Sequence, residues 1–197
     1  MSNDYIQIFF RKGGRVVLRP LLLSDYLILM KWINDPEVTQ FLFAYLPMME
    51  EDQKEWIETV RKQMSKQIVL MIVVDGVPIG TMGIHSIDYR QGIATTGALI
   101  GEKAYWGKGY GTEAKMLLLE YAFNTLNLRK VYSEVIAFNK RSYNYSLSCG
   151  YKEEGCLKNH HFVKGKYWDK IILSVVKKDF TPLWKKFKKT NGKSISV

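Results

Sequence analysis

Gly101-Glu102-Lys103-Ala104-Tyr105-Trp106-Gly107-Lys108-Gly109-Tyr110-Gly111-Thr112-Glu113-Ala114 is the stretch on which the fold turns. Before it lies a strand candidate, Ala94–Ile100, rich in threonine and small apolar residues. After it, Ala114, Leu117, Leu118, Tyr121, Ala122 and Thr125 recur at three- and four-residue steps, the period of one helix face. Glycine permits positive φ and close approach to the backbone, and a helix start offers unpaired N–H groups at a positive dipole end. Together they make an anion cradle suited to a phosphate or pyrophosphate, with Lys108 as a mobile added charge. A Walker A loop is excluded, because Gly109 rather than Ser or Thr follows Lys108; a Rossmann fingerprint is disfavoured by Thr112 in its third glycine position. A plain strand-to-helix turn fits the same spacing.

Working outward, Val16–Arg19 is a short strand stopped by Pro20, and Ser24 caps a helix to Asn34 with Asp25 at its positive end. Asn34-Asp35-Pro36 breaks that helix, and a second starts at the acidic run Glu50-Glu51-Asp52 and ends near Gln63. Ile68–Val74 and Val77–Ile84, joined by Asp75-Gly76, read as a hairpin with a type I′ turn. Beyond the glycine segment come strand Arg129–Ala137, a helix from Lys140 to Cys149 closed by Gly150, and strands Tyr151–Leu157 and Trp168–Val176. The order gives an α/β (α+β) single domain with mostly antiparallel strands.

The chain has 197 residues, 47% hydrophobic and 13% aromatic, which suits one domain with a substantial core. No apolar run approaches the ~18–20 residues of a membrane span, and Met1–Arg11 lacks the features of a signal peptide. Cys149 and Cys156 form no disulfide framework and suit a cytoplasmic location. The net charge of +10 is unevenly placed: residues 177–197 carry seven lysines against Asp179, leaving +4 for the rest. That end reads as a solvated basic extension, with a nucleic-acid, ribosome or anionic-membrane contact as the alternative. No His, Cys or carboxylate cluster has metal-ligand spacing, so no metal is expected.

Tyr105–Ala114 resembles motif A of the Gcn5-related N-acetyltransferases (GNAT), in particular the RimJ/RimL-like branch. Leu18-Arg19-Pro20 with Trp32–Val38, Asn139-Lys140-Arg141-Ser142 through Cys149–Gly155, and Gly165-Lys166-Tyr167-Trp168-Asp169 resemble further segments of that branch in register, over residues 16–176. The resemblance implies a GNAT domain over residues 1–176, followed by the basic extension at 177–197. It implies a mixed sheet of about seven strands with a V-shaped splay and about four flanking helices. Acetyl-CoA is the implied donor, with its pyrophosphate on the amides of Lys108, Gly109, Tyr110, Gly111 and Thr112, its pantetheine along Leu99 and Ile100, and Asn139 hydrogen-bonding that arm. Trp106 stands where the family often has Arg or Gln.

The implied reaction is direct attack of a primary amine in a ternary complex; the acceptor is a protein N-terminus or a small amine such as a polyamine, amino sugar or antibiotic. An α-amine, pKa about 7.7–8.0, needs a weaker base than a lysine-like amine near 10.4. The position that in many relatives holds a tyrosine acid is Ser146 here, so Ser142 and Ser146 are the candidate hydrogen-bond donors to the leaving sulfur. His161, beside His160 on the loop between the last two strands, stands where RimL-like relatives have a Glu and is the candidate general base. His85 reads as structural. The acceptor pocket is expected from the first two helices and the 158–167 loop, with aromatics such as Phe41, Phe43, Tyr45 and Trp56; Glu50, Glu51 and Asp52 either attract a cationic amine or only start a helix. A homodimer is a further partner expectation. The alternative from another class is a non-catalytic CoA- or nucleic-acid-binding module on the same scaffold.

Overall fold

A computed structural model describes residues 8–42 and 44–191 of the chain; Phe43 and Lys193 lie outside the described residues. Among the described residues eight strands form one sheet: β1 Arg11–Lys12, β2 Val16–Pro20, β3 Ile68–Val74, β4 Val77–Asp88, β5 Ile93–Ile100, β6 Lys130–Ile136, β7 Lys152–Val163 and β8 Lys166–Val176. Their spatial order is β1-β2-β3-β4-β5-β6-β8-β7. The helices are α1 Tyr26–Ile33, α2 Pro36–Thr39, α3 Glu50–Lys62, α4 Tyr110–Asn124, α5 Lys140–Ser148 and α6 Lys177–Asn191.

The Asp75-Gly76 turn takes the expected form, with both residues at positive φ between β3 and β4. The strand beyond the expected seven is β1, two residues that pair Arg11 with Leu18 and are too short to leave a periodic signal. The Asn34-Asp35-Pro36 breaker opens a further turn of helix, since Pro36 fits the first helical position and Asp35 accepts the Glu37 N–H at 2.9 Å. Ser24 caps nothing; Asp25 instead takes both guanidinium nitrogens of Arg19 at 2.8 Å and the Leu22 N–H, pinning β2 to the start of α1.

The core has two layers. On one face of the sheet Val16, Leu18, Ile72, Met82 and Ile84 pack against α4 through Leu117, Leu118 and Phe123. On the other, Met71 and Val73 pack against Leu29, Trp32 and Ile57 of α1 and α3. The sheet divides between β5 and β6. These run parallel and pair only as Ile93↔Lys130, Ala94↔Val131 and Thr95↔Tyr132; beyond Thr95 they part, while β4 and β8 continue to hold their outer edges.

Two expectations change. The 158–167 loop is the end of a long hairpin: β7 and β8 pair as far as Val163↔Lys166, and His160 and His161 lie on strand β7. A bulge between Leu157 and His161 absorbs the misfit, held by Asp169, whose carboxylate accepts the Asn159 N–H and pairs with Lys158, both at 2.9 Å. The lysine-rich end is not a solvated tail over 177–191: α6 buries Phe180 and Trp184 against the core and leaves Lys185, Lys186, Lys188 and Lys189 exposed. Phe180 meets Phe123 of α4 at 5.3 Å between ring centroids. Trp184→Ala is therefore expected to destabilise the chain by about 3 kcal/mol, lowering Tm by roughly 6–12 °C in a thermal unfolding experiment.

Candidate active site

A cleft of about 820 Å³ enters the sheet where β5 and β6 separate. One bank is β5 from Thr95 to Ile100, the other β6 from Ser133 to Ile136. The glycine loop and the start of α4 close it at one end; Asn139, Arg141 and Ser142 of the α5 segment lie along its side.

The loop's conformation follows from its glycines. Gly107 and Gly109 have φ of +74° and +84°, and Gly109 is the residue from which α4 starts. A Cβ on Gly111 would meet no protein atom within 4 Å, so the first turn faces open space. The Glu113 N–H is satisfied by Gly109, leaving the amides of Tyr110, Gly111 and Thr112 as the helix's unpaired donors.

Ion pairs brace this loop from three sides. Glu102 takes Lys31 Nζ at 2.6 Å and Trp32 Nε1 at 2.9 Å from α1, and these hold its carboxyl below the usual carboxylate range. Lys103 reaches Asp35 at 3.0 Å and also pairs with Glu37, both beside α2. On α4, the buried Glu113 carboxylate accepts the backbone N–H groups of Arg15 and Val16 at 2.7 and 3.0 Å and Arg15 Nε at 3.1 Å. Arg15 Nη1 then donates to the Lys108 carbonyl.

Of the residues expected at the site, Leu99, Ile100, Gly109, Tyr110, Gly111, Thr112, Asn139 and Ser142 line the one cleft. Lys108 does not line the cleft; its Nζ lies over the ring of Tyr105, which does. Asn139 caps α5 through Oδ1, which accepts the Ser142 N–H at 3.0 Å. Ser146 is fully buried and does not line the cleft. Nor does His161, which lies on β7 in the field of Lys170 and Glu134. Trp56 packs on the α1–α3 layer, and Tyr45 is exposed; of the pocket aromatics only Phe41 reaches the lining among the described residues. Glu50 pairs with Lys54 at the start of α3, the helix-start role.

The structure adds roles that the sequence reading did not assign. Trp106 donates from Nε1 to the Ile100 carbonyl at 2.7 Å, locking the loop onto β5. Arg141 stacks on Trp106 at 4.0 Å, and burial lowers its pKa. Lys115 lies wholly buried beneath the fork, donating to Thr96 Oγ1 at 2.9 Å between the rings of Tyr145 and Tyr151. Burial brings its pKa down to about 8. Thr96 Oγ1 donates to the Tyr132 carbonyl, so its remaining capacity is filled by acceptance from Lys115 and the Tyr151 hydroxyl. The signal for Lys115 was a lysine inside the unbroken buried run from Glu113 to Glu120, where neighbouring positions cover every face of α4.

The family model described as "Acetyltransferase (GNAT) domain" matches residues 15–152. The chain belongs to the GNAT acetyltransferase family. The Bacillus licheniformis protein named "Uncharacterized N-acetyltransferase p20" is 30% identical over 172 residues, covering 84% of this chain and 95% of that protein. Among solved structures, the spermidine N-acetyltransferase from Vibrio cholerae in complex with CoA and spermine superposes with a TM-score of 0.79 at 21% identity, over 85% of this chain and 99% of the other. Mycobacterium smegmatis RimJ in complex with CoA-disulfide gives 0.80 at 17% identity, over 94% and 95%. The GNAT chain described here thus shares a whole-domain fold with both, and it is an N-acetyltransferase. Among its described residues no helix is long and apolar enough to cross a membrane, and no three His, Cys, Asp or Glu side chains gather as a metal site.

The GNAT loop depends on its brace. Glu113→Ala leaves the N–H groups of Arg15 and Val16, at the start of β2, without their acceptor and is expected to cost about 3 kcal/mol in denaturant unfolding; an unchanged midpoint would mean the carboxylate carries no load.

Proposed function

We propose that the chain transfers the acetyl group of acetyl-CoA to a primary amine of low positive charge, by direct attack in a ternary complex in a cytoplasmic setting. The observation that carries this reading is the junction of two features in one cleft: a strand edge left without its neighbour beyond Thr95, and an anion-binding helix start at its end. A bound acetyl-CoA supplies an acetyl group activated as a thioester. The amides of Gly109, Tyr110, Gly111 and Thr112 receive its pyrophosphate, Leu99 and Ile100 offer backbone along the open edge, and Asn139 supplies a side-chain amide beside it. Gly111's open surroundings and the cleft's volume suit that occupant. Ser142, in the first turn of α5 on the cleft wall, is the hydrogen-bond donor for the departing sulfur.

Direct attack is supported by the state of the cysteines. Cys149 is buried under α5, and burial pushes its thiol up to about 12, which removes the thiolate an acyl-enzyme would need. Cys156 is on β7, facing Asp169 at 3.6 Å, away from the cleft.

The acceptor class follows from charge. Among the described residues lining the cleft the one carboxylate is Glu134, and Lys170 holds it at 2.7 Å. A polyamine would bring several positive charges to a wall that also carries Arg141. A monoamine on an apolar body fits Val38, Phe41 and Leu42 better.

A thiol-release assay with acetyl-CoA and a panel of amines tests this. We expect turnover with aromatic monoamines or peptide α-amines, and at least about tenfold lower kcat/KM with spermidine; acetyl-CoA binding without turnover of any amine would mark a binding module instead. Gly109→Val puts a β-branched residue at positive φ and is expected to weaken acetyl-CoA binding at least about tenfold in calorimetry. Undiminished affinity would remove the loop from the donor site.

A further inference from the structure

His85 occupies a niche for which packing alone gives no account. It lies on β4 opposite Thr95, and two residues before it Gly83 pairs with Gly97. Side chains two apart on a strand share a face, and the imidazole folds back over this glycine pair. A Cβ on Gly83 would come 2.5 Å from His85 Nε2, and one on Gly97 3.5 Å. Two facing glycines on neighbouring strands thus clear a notch for one imidazole ring.

The backbone after His85 leaves the regular ladder. The β4–β5 register breaks between His85 and Asp88, Ser86 takes φ of +51°, and the Ile87 N–H turns to the Lys66 carbonyl. A non-glycine residue in the left-handed region beside a bulge is a local cost that re-aims the flanking side chains. The Thr95 hydroxyl fixes the His85 carbonyl at 3.2 Å.

The niche is placed at the fork. Thr95, the cross-strand partner of His85, is the last β5 residue paired to β6. The ring lines the cleft, on the face that carries Leu99 and the α1–α3 layer and opposite the face packed on α4. The glycine loop and the imidazole therefore address the open edge of β5 from different sides. Neither ring nitrogen has a hydrogen-bond partner among the described residues, although the side chain is mostly buried.

No charge near the ring opposes the effect of its burial. Strands β3 and β5, on either side of β4, contain no ionisable residue. Across the fork β6 presents Glu134, held by Lys170 of β8, and α5 presents Arg141, stacked on Trp106. Burial alone lowers the pKa of His85 below its ordinary value, with no contribution from any of these charges.

We propose that His85 is the general base that takes the proton from the acceptor amine. This rests on the acetyl-transfer reading above. The nitrogen lone pair forms the N–C bond to the acetyl carbon as the C–S bond breaks and its electron pair goes to sulfur. The excess proton on nitrogen passes to the imidazole, which returns it to solvent or to the departing sulfur.

His85→Gln keeps a planar polar side chain over the glycine notch but cannot titrate in this range. With the amine that the wild-type chain turns over best, kcat/KM is expected to fall by about 10²–10⁴, the usual contribution of a general base. The acidic limb of the wild-type pH profile, expected below pH 6.5, should disappear in the variant. Acetyl-CoA affinity and Tm should stay close to wild type, and imidazole in the buffer should restore part of the rate to His85→Ala. A His85→Gln enzyme that keeps kcat/KM within about threefold with the same acidic limb overturns the proposal. So does loss of that limb in His161→Gln but not in His85→Gln. Failure of the wild-type chain to acetylate any amine overturns the function, and this assignment with it; turnover unchanged by His85→Gln overturns the assignment alone.

Discussion

Three residue pairs hold β5 to β6, and the whole site exists because there are only three. A parallel pair leaves both strands with ladder groups to satisfy, and strands that part expose those groups to whatever enters. Here the outer edges are secured, β5 by β4 and β6 by β8, so the fork stays open without unravelling the sheet. Beneath it the polar network of Lys115, Thr96 and Tyr151 fills the wedge that side chains from regularly paired strands would otherwise fill. Thr96 is the first β5 residue past the pairing, and its hydroxyl crosses to the Tyr132 carbonyl, so the fork begins at a side-chain bond rather than at a frayed ladder.

A glycine loop beside an open fork needs outside support, because its own residues have little side chain with which to pack. The support comes from charges on three separate elements: Lys31 on α1, Asp35 and Glu37 at α2, and Arg15 ahead of β2. Most of these pairs are exposed, where each contributes little. Glu113 is the exception, a buried carboxylate with three N–H donors, two of them backbone. It ties the N-terminal strand to the first turn of the helix whose free amides face the cleft, so the position of the cradle is fixed by the body of the sheet.

Much of this was legible in the sequence where a local rule sets the outcome. Gly107 and Gly109 need positive φ, Asp75-Gly76 makes its turn, and the 3.6-residue period of α4 is plain. What could not be read depends on register or on distant partners. The type I′ turn at Lys164-Gly165 carries no strong turn pair, so the β7–β8 hairpin read as a loop and its histidines as loop residues. The amphipathic character of α6, with Phe180 and Trp184 inward and lysines outward, was hidden behind the count of lysines. His85 read as structural because Gly83 and Gly97 are fourteen residues apart, and only the β4–β5 register makes them one notch.

Burial sorts the ionisable groups around the fork into three conditions. Cys149, buried at the end of α5, and Tyr145, which lines the cleft from α5, are both pushed toward their neutral forms by desolvation. Lys115 is lowered by the same desolvation, yet a hydrogen bond and two aromatic faces surround its ammonium group, an environment in which a cation is tolerated without a carboxylate. His85 is only partly desolvated, opens onto the cleft and has no hydrogen-bond partner for either ring nitrogen among the described residues. An imidazole so placed gains or loses a proton at little structural cost, whereas protonation changes at Cys149 or Lys115 would disturb packed side chains. The fork therefore sets buried groups that shape the site apart from an imidazole on its lining that can exchange a proton.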